Sequence, residues 1–287
     1  MRYKEPLFRP PSEGDSLIFQ VAYGCPHNTC LFCPMYKGVN YSVRKIEDVL
    51  KEIEKASKKY SGARRIFLAD GDVMSLPFEY LEQIFIHLNS YFSKLSRISM
   101  YANGSSILGK SSAELETLKK LKLFTLYLGL ESGDDEVLSL VRKGETTEQM
   151  IEAVQLAQTA GIRMSVMVLL GLAGSRLSKK HAEQTALTVN KMSPKFLAAL
   201  RFVQAPGLKM FNGYETLSEH EVVQELYTMV ENLDLQNTVF RANHASNPIP
   251  IAARFPKDKE ALLSSLNILL NNSSLSRNSS GHLPIWL

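Results

Sequence analysis

All three cysteines of the chain fall in one short stretch, Gly24-Cys25-Pro26-His27-Asn28-Thr29-Cys30-Leu31-Phe32-Cys33. Thiols this close together cannot staple distant segments, so a disulfide framework is excluded. Thiolates are soft ligands for zinc or for iron–sulfur clusters. Clustered thiols with none elsewhere point to a metal site, Cys25, Cys30 and Cys33, in a reducing cytoplasm. A structural zinc ion wants four protein ligands. His27 is the one nearby fourth candidate, and it lies in the same loop, where closing a tetrahedron is strained. Three thiolates on a four-iron cluster instead leave one iron without a protein ligand, an open position of the kind catalytic sites use. A non-catalytic zinc- or cluster-binding protein is the plainer alternative.

The elements that must position this loop read as an alternation. The loop follows an apolar run at 17–22, where ligand-binding loops sit in parallel α/β folds. Further β-branched, apolar runs at 65–70, 97–102, 124–129, 163–170 and 196–203 read as strands. Amphipathic stretches separate them. Residues 43–60 carry Ile46, Val49, Leu50 and Ile53 on one face. Residues 77–92 open with Pro77, and 111–121 open with the capping-box spacing of Ser111 and Glu114. Helical patterns at 146–160, stopped by Gly161, and at 179–192, ended by Pro194, complete the series. Six such units imply right-handed parallel β–α connections, in a short or open barrel or a doubly wound sheet. Beyond 203 come a loop at 204–216, a helix at 218–233, a short strand at 238–241 and a last helix at 257–270. The Asn- and Ser-rich end reads as disordered. The expected organisation is a core at 1–203 with its cluster loop at 24–33, an extension at 204–270 and a disordered tail at 271–287.

Composition narrows the class. The net charge of +4 permits an anionic ligand without arguing for nucleic acid. No run approaches the ~18 apolar residues of a membrane span, and the N-terminus has no apolar signal region, so a cytoplasmic protein without membrane attachment is expected.

A strand, a three-cysteine loop ending Cys-x-aromatic-Cys and a helix resemble the start of the radical S-adenosylmethionine (SAM) superfamily. The usual Cys-x3-Cys-x2-Cys is Cys-x4-Cys-x2-Cys here, one residue longer. Ala69-Asp70-Gly71-Asp72 is similar to the family's Gly-Gly-Glu-like motif, which would bring Gly71 and Asp72 to the cofactor's amino group. Asn103, ending the third strand, can both donate and accept, as the cofactor's carboxylate or ribose requires. Gly129-Leu130-Glu131-Ser132-Gly133 resembles a segment of the coproporphyrinogen dehydrogenase, methylthiotransferase and Elongator-catalytic-subunit branch, where Glu131 would lie near the cofactor's sugar. In the same register Lys143 would pair with the cofactor carboxylate, and the backbone around Gly171 would face adenine or substrate. Phe32 would pack on the adenine or the cluster. Each position also has a plainer reading as a turn, a helix cap or a core residue.

The resemblance implies an α/β fold, a partial (β/α)6 TIM-like barrel with a short C-terminal α/β extension. It implies a [4Fe-4S] cluster that reductively cleaves SAM, and a 5′-deoxyadenosyl radical that abstracts hydrogen from an unidentified substrate. Reduced flavodoxin or ferredoxin would be the electron donor. With no fourth cysteine, an auxiliary cluster with its own cysteine ligands is not expected, which argues against a methylthiotransferase. The polar segment around Asn243, His244 and Asn247 is a candidate substrate loop, with His244 as a candidate catalytic proton carrier. An RNA substrate would need a basic face; Lys55, Lys58, Lys59, Arg64 and Arg65 are the candidates, and they also read as the solvated side of a helix.

Overall fold

The alternation of apolar and amphipathic stretches becomes ten strands and nine helices among residues 3–281, the part of the chain that the computed structural model describes. The strands are β1 (Leu17–Gln20), β2 (Ala22–Tyr23), β3 (Ser42–Val43), β4 (Arg65–Ala69), β5 (Arg97–Ala102), β6 (Leu123–Glu131), β7 (Arg163–Leu170), β8 (Phe196–Arg201), β9 (Thr238–Ala242) and β10 (Ile251–Phe255). The helices are α1 (Ile46–Lys59), α2 (Phe78–Tyr91), α3 (Gly104–Leu108), α4 (Ser112–Lys120), α5 (Asp135–Leu140), α6 (Thr147–Thr159), α7 (Gly174–Met192), α8 (Glu219–Asn232) and α9 (Lys259–Asn271). The expected capping box forms between Ser111 and Glu114, and a second joins Ser218 with Glu221. Among the described residues no helix is long and apolar enough to cross a membrane.

The described residues form two compact units. The first holds the described residues up to Asn28, with Met35–Leu128 and Glu152–Met164. In it β1, β4, β5 and β6 run parallel in that order, with Leu17 opposite Ile66 and Arg65 opposite Arg97. Ile66, Phe67, Leu68 and Ala69 are all fully buried, which is why β4 reads as a continuous apolar run rather than an alternation. Helix α1 buries Val49, Ile53 and Ala56 and leaves its lysines in solvent.

The second unit holds Thr29–Pro34, Gly129–Ile151 and the chain from Ser165. Here β7, β8 and β9 are parallel neighbours, and β10 closes back antiparallel on β9. Strand β10 was not expected. It lies between Pro250 and Pro256 at the edge of the sheet, where prolines are tolerated but mask a strand pattern. Helices α3 and α5 also escaped the sequence reading, because five or six residues are too few for a 3.6-residue period to register. Helix α7 starts at Gly174 rather than at 179. Gly174 has φ +70, and a Cβ there would lie 3.2 Å from the Glu215 amide nitrogen. In the tail segment, Leu275 is buried and the Ser276 and Ser279 carbonyls accept from the His220 and Glu219 amides. Residues 282–287 lie outside the described residues.

Candidate functional site

In the first unit, candidate residues gather where β4 ends. Asp70 is buried, with Oδ2 accepting from Gln20 Nε2 at 2.9 Å and from the Gly24 amide at 3.1 Å. Its Oδ1 accepts from the Tyr36 hydroxyl at 3.2 Å. Burial pushes the Asp70 carboxyl up, and these three donors draw it back. The Gly71 amide donates to the Gly24 carbonyl at 3.1 Å. A Cβ at Gly71 would lie 2.8 Å from both Cys25 Cβ and the Tyr36 ring. Only glycine lets the turn after β4 approach the first cysteine this closely. Within the lengthened cysteine spacer, Asn28 takes a left-handed φ of 35 and donates from Nδ2 to the Tyr36 carbonyl at 2.8 Å.

Asp72 and Asn103, expected from two different strand ends, are joined. Asp72 is buried and accepts from the Asn103 amide and from Asn103 Nδ2, both at 3.3 Å, and from the Ser106 hydroxyl. Its carboxylate therefore organises the start of α3 as well as lining the strand end.

In the second unit, candidate residues gather at the ends of β6 and β7 and in the turns that follow. The Leu31 amide donates to the Val141 carbonyl at 2.9 Å, tying the cysteine loop to the segment after α5. Cys30 and Phe32 are buried with Val137, Val141, Leu172, Ala173 and Phe202, and Cys33 packs on the same cluster. The structure thus puts Phe32 in an apolar core beside the turn that follows Gly171.

Glu131 is 5% exposed and has φ +64, a left-handed conformation that an L-residue with a side chain rarely adopts. A Cβ at Gly129 would collide with the Glu131 carboxylate, so the acid folds back over a position where only glycine leaves room. Its Oε1 stands 3.9 Å from Lys143 Nζ, itself 5% exposed, while Oε2 has no hydrogen-bond partner among the described residues. Burial pushes the Glu131 carboxyl up; Lys143 opposes this and Glu145 adds to it. Positive φ at Arg142 and Gly144 makes the turn that delivers Lys143.

At Gly171, with φ +80, the amide donates to Glu225 at 2.7 Å and the carbonyl accepts from the Tyr214 hydroxyl at 3.1 Å. Both backbone polar groups of this glycine are thus engaged by protein. Glu225, on α8, also accepts from the Ser178 hydroxyl and lies 3.7 Å from His181 Nε2. Burial pushes its carboxyl up, against the pull of His181. The other ring nitrogen of His181 pairs with the Ser132 hydroxyl at 2.8 Å, one residue after Glu131. Sequence reasoning missed Asp70, His181 and Glu225. The last had a faint signal, a lone acid on the face of α8 that buries Val222, Leu226 and Met229.

His244 is half-buried, and its Nδ1 accepts from the Ser246 amide at 3.2 Å. That leaves the proton of the neutral ring on Nε2, and burial lowers the imidazole's pKa. Asn247 Nδ2 donates to the Ala199 carbonyl at 2.9 Å, folding the segment onto β8, while its buried Oδ1 has no partner among the described residues.

None of the three cysteines is in a disulfide, one buried Glu131 oxygen has no hydrogen-bond partner among the described residues, and Gly71 permits close approach to Cys25. By residue chemistry, the cysteines fit a thiolate-bound cluster and the buried Glu131 carboxylate fits a small polar ligand. Among the described residues no three His, Cys, Asp or Glu side chains converge on one metal ion. Thiolates at separate corners of a cluster need no such convergence.

Chemistry-bearing loops after successive parallel strands, the first of them carrying three thiols, define an α/β enzyme core with a cysteine cluster loop. The chain belongs to the radical SAM superfamily, whose family model matches residues 19–176. Members of that superfamily are enzymes that use a [4Fe-4S] cluster and SAM. A tRNA-2-methylthio-N(6)-dimethylallyladenosine synthase of Fusobacterium nucleatum is 27% identical over 168 residues, covering 54% of this chain and 36% of that protein. The 4'-phospho-dehydrooxetanocin synthase of Priestia megaterium is 22% identical over 235 residues, covering 75% of this chain and 32% of that protein. The chain thus spans about a third of the length of these curated relatives. The structure of coproporphyrinogen III oxidase from Escherichia coli superposes with a TM-score of 0.58 at 16% identity, over 75% of this chain and 52% of that one. That likeness shows the fold, the partial TIM-like barrel that the family resemblance implied.

Proposed function

We propose that the chain cleaves S-adenosylmethionine reductively at a [4Fe-4S] cluster held by Cys25, Cys30 and Cys33, and turns the resulting radical on a substrate still to be identified. The observation that carries this reading is Glu131: a buried, left-handed acid with an unpartnered oxygen, at the C-terminal end of β6. A protein gains nothing in stability from such a group, so its use lies in a ligand. When bound, the cluster and cofactor supply one-electron cleavage of a sulfonium and a 5′-deoxyadenosyl radical.

The chain's own residues do the positioning. Asp70 fixes the cysteine loop through the Gly24 amide, and Gly71 admits Cys25. Glu131 accepts from the cofactor's sugar and Lys143 balances its carboxylate. Gly71, Asp72 and Asn103 present polar groups to the amino-acid end. Phe32 and its apolar neighbours keep water from the cluster loop. His244 moves a proton at Nε2, so His244→Ala would lose substrate turnover and keep substrate-free cofactor cleavage; unchanged turnover would remove it from the mechanism. Three cysteines outside any disulfide suit a reducing cytoplasm, with reduced flavodoxin or ferredoxin as donor.

The test is anaerobic reconstitution followed by a dithionite assay for 5′-deoxyadenosine, beside Cys25→Ala, Cys30→Ala and Cys33→Ala. Cluster-loaded, folded protein that yields none would overturn the reading. An RNA substrate is a second reading, favoured by the likeness to the tRNA-modifying synthase. Salt-sensitive tRNA binding is its test.

A further inference from the structure

Helix α1 carries Lys51, Lys55 and Lys59 at intervals of four residues. That spacing stacks them on one face, each about 6 Å further along the axis. All three are exposed. With the β2–β3 ribbon they border a groove of about 960 Å³, in which five of the ten lining residues are basic and two are acidic. One of those acids, Glu52, is already paired with Arg44 at 2.7 Å. The chain as a whole carries only +4, so this face holds most of its positive excess. Two tyrosines line the groove, and each has an ammonium over its ring: Lys4 Nζ is 4.9 Å from the centroid of Tyr23, and Lys59 Nζ is 5.3 Å from that of Tyr60.

The groove is anchored to the start of the cysteine loop. Arg44 donates through Nη1 to the Gln20 carbonyl at 2.7 Å, and its amide donates to the Val21 carbonyl at 3.1 Å. The Tyr80 hydroxyl, at 2.9 Å from the Arg44 carbonyl, braces the same corner. Tyr23 lines the groove, and Cys25 follows two residues later. A negatively charged surface seated against Tyr23 meets the chain two residues before the first thiolate.

We propose that this groove is the docking surface for an acidic, low-potential one-electron donor protein. The inference rests on the proposed reductive function and names the entry point for its electron. On docking, the donor is oxidised by one electron and the cluster is reduced by one; no bond forms or breaks. The row of lysines supplies steering and orientation, which raise the encounter rate and make it fall with salt.

The test compares wild type with the triple variant Lys51→Glu, Lys55→Glu, Lys59→Glu and with the single variant Lys55→Glu, all checked for folding by circular dichroism. The probes are a purified, strongly acidic flavodoxin and, separately, dithionite, which needs no docking surface. Calorimetric flavodoxin binding and the stopped-flow rate of cluster reduction are both read. At 0.1 M salt the triple variant should bind flavodoxin and accept its electron at least about tenfold less well, and the single variant should fall between. The gap should narrow at 1 M salt, where the screening length drops from about 10 Å to about 3 Å. Reduction by dithionite should stay within about twofold of wild type. Unaltered flavodoxin binding and reduction in the triple variant would overturn the proposal. So would a triple variant that loses tRNA binding while holding flavodoxin normally. A wild type with no dithionite-reducible cluster would instead sink the catalytic reading, and the calorimetric comparison would still decide the docking surface.

Discussion

Replacing Glu131 by Gln separates a residue kept for a ligand from one kept for the fold. The carboxylate is 5% exposed, and its Oε2 has no partner, which costs about 1–3 kcal/mol. Lys143 at 3.9 Å returns part of that cost, yet burial still holds the carboxyl above its ordinary range. The sign of the linkage follows. A carboxyl raised in the folded state favours folding below the unfolded value of about 4.3, and that contribution is lost as pH climbs through the folded value. Gln is the permanent neutral form, so Glu131→Gln should match wild type near pH 4.5 and exceed it at pH 7.5. The expected gain at pH 7.5 is about 1 kcal/mol, or roughly 2–4 °C in Tm. Thermal melts by circular dichroism at pH 4.5, 6 and 7.5 read it out. The same variant should bind SAM about tenfold or more weakly, since a hydrogen bond to a charged group contributes about 1.5–3 kcal/mol. A variant that loses more than 1 kcal/mol at pH 7.5 would refute the reasoning, because Glu131 would then be there to neutralise Lys143.

Two further outcomes follow from the site's scaffold. Gly71→Ala should fold with a loss of about 1–3 kcal/mol but retain little iron after reconstitution, because the new Cβ falls 2.8 Å from Cys25 Cβ; full iron content in the variant would contradict the close approach. Glu225→Ala should cost about 3 kcal/mol in urea unfolding by orphaning the Gly171 amide and the Ser178 hydroxyl, while Glu225→Gln should cost under about 1.5 kcal/mol.

What was legible in the sequence was chemistry tied to strand ends. Parallel β–α units put each loop after a strand on the same edge, so Asp72, Asn103 and Glu131 could be found by walking from one apolar run to the next. The capping boxes at Ser111 and Ser218 were legible because their signal is wholly local. Asp70 was overlooked beside Gly71 because its three donors, from Gln20, Gly24 and Tyr36, are distant in the chain. His181 and Glu225 act from helices on the turns at Ser132 and Gly171, a relation that exists only after packing. The pairing of Asp72 with Asn103 was hidden for the same reason, although each residue had been singled out alone.

The central claim is that three thiolates hold a cluster and leave one iron open to the cofactor. Electron paramagnetic resonance of the anaerobically reconstituted, dithionite-reduced protein, before and after adding SAM, tests it most directly. The expected result is a reduced four-iron signal whose g-values shift when SAM is added, and no such signal in the Cys25→Ala, Cys30→Ala or Cys33→Ala variants. A cluster signal indifferent to SAM, or no cluster in folded wild type, would contradict it.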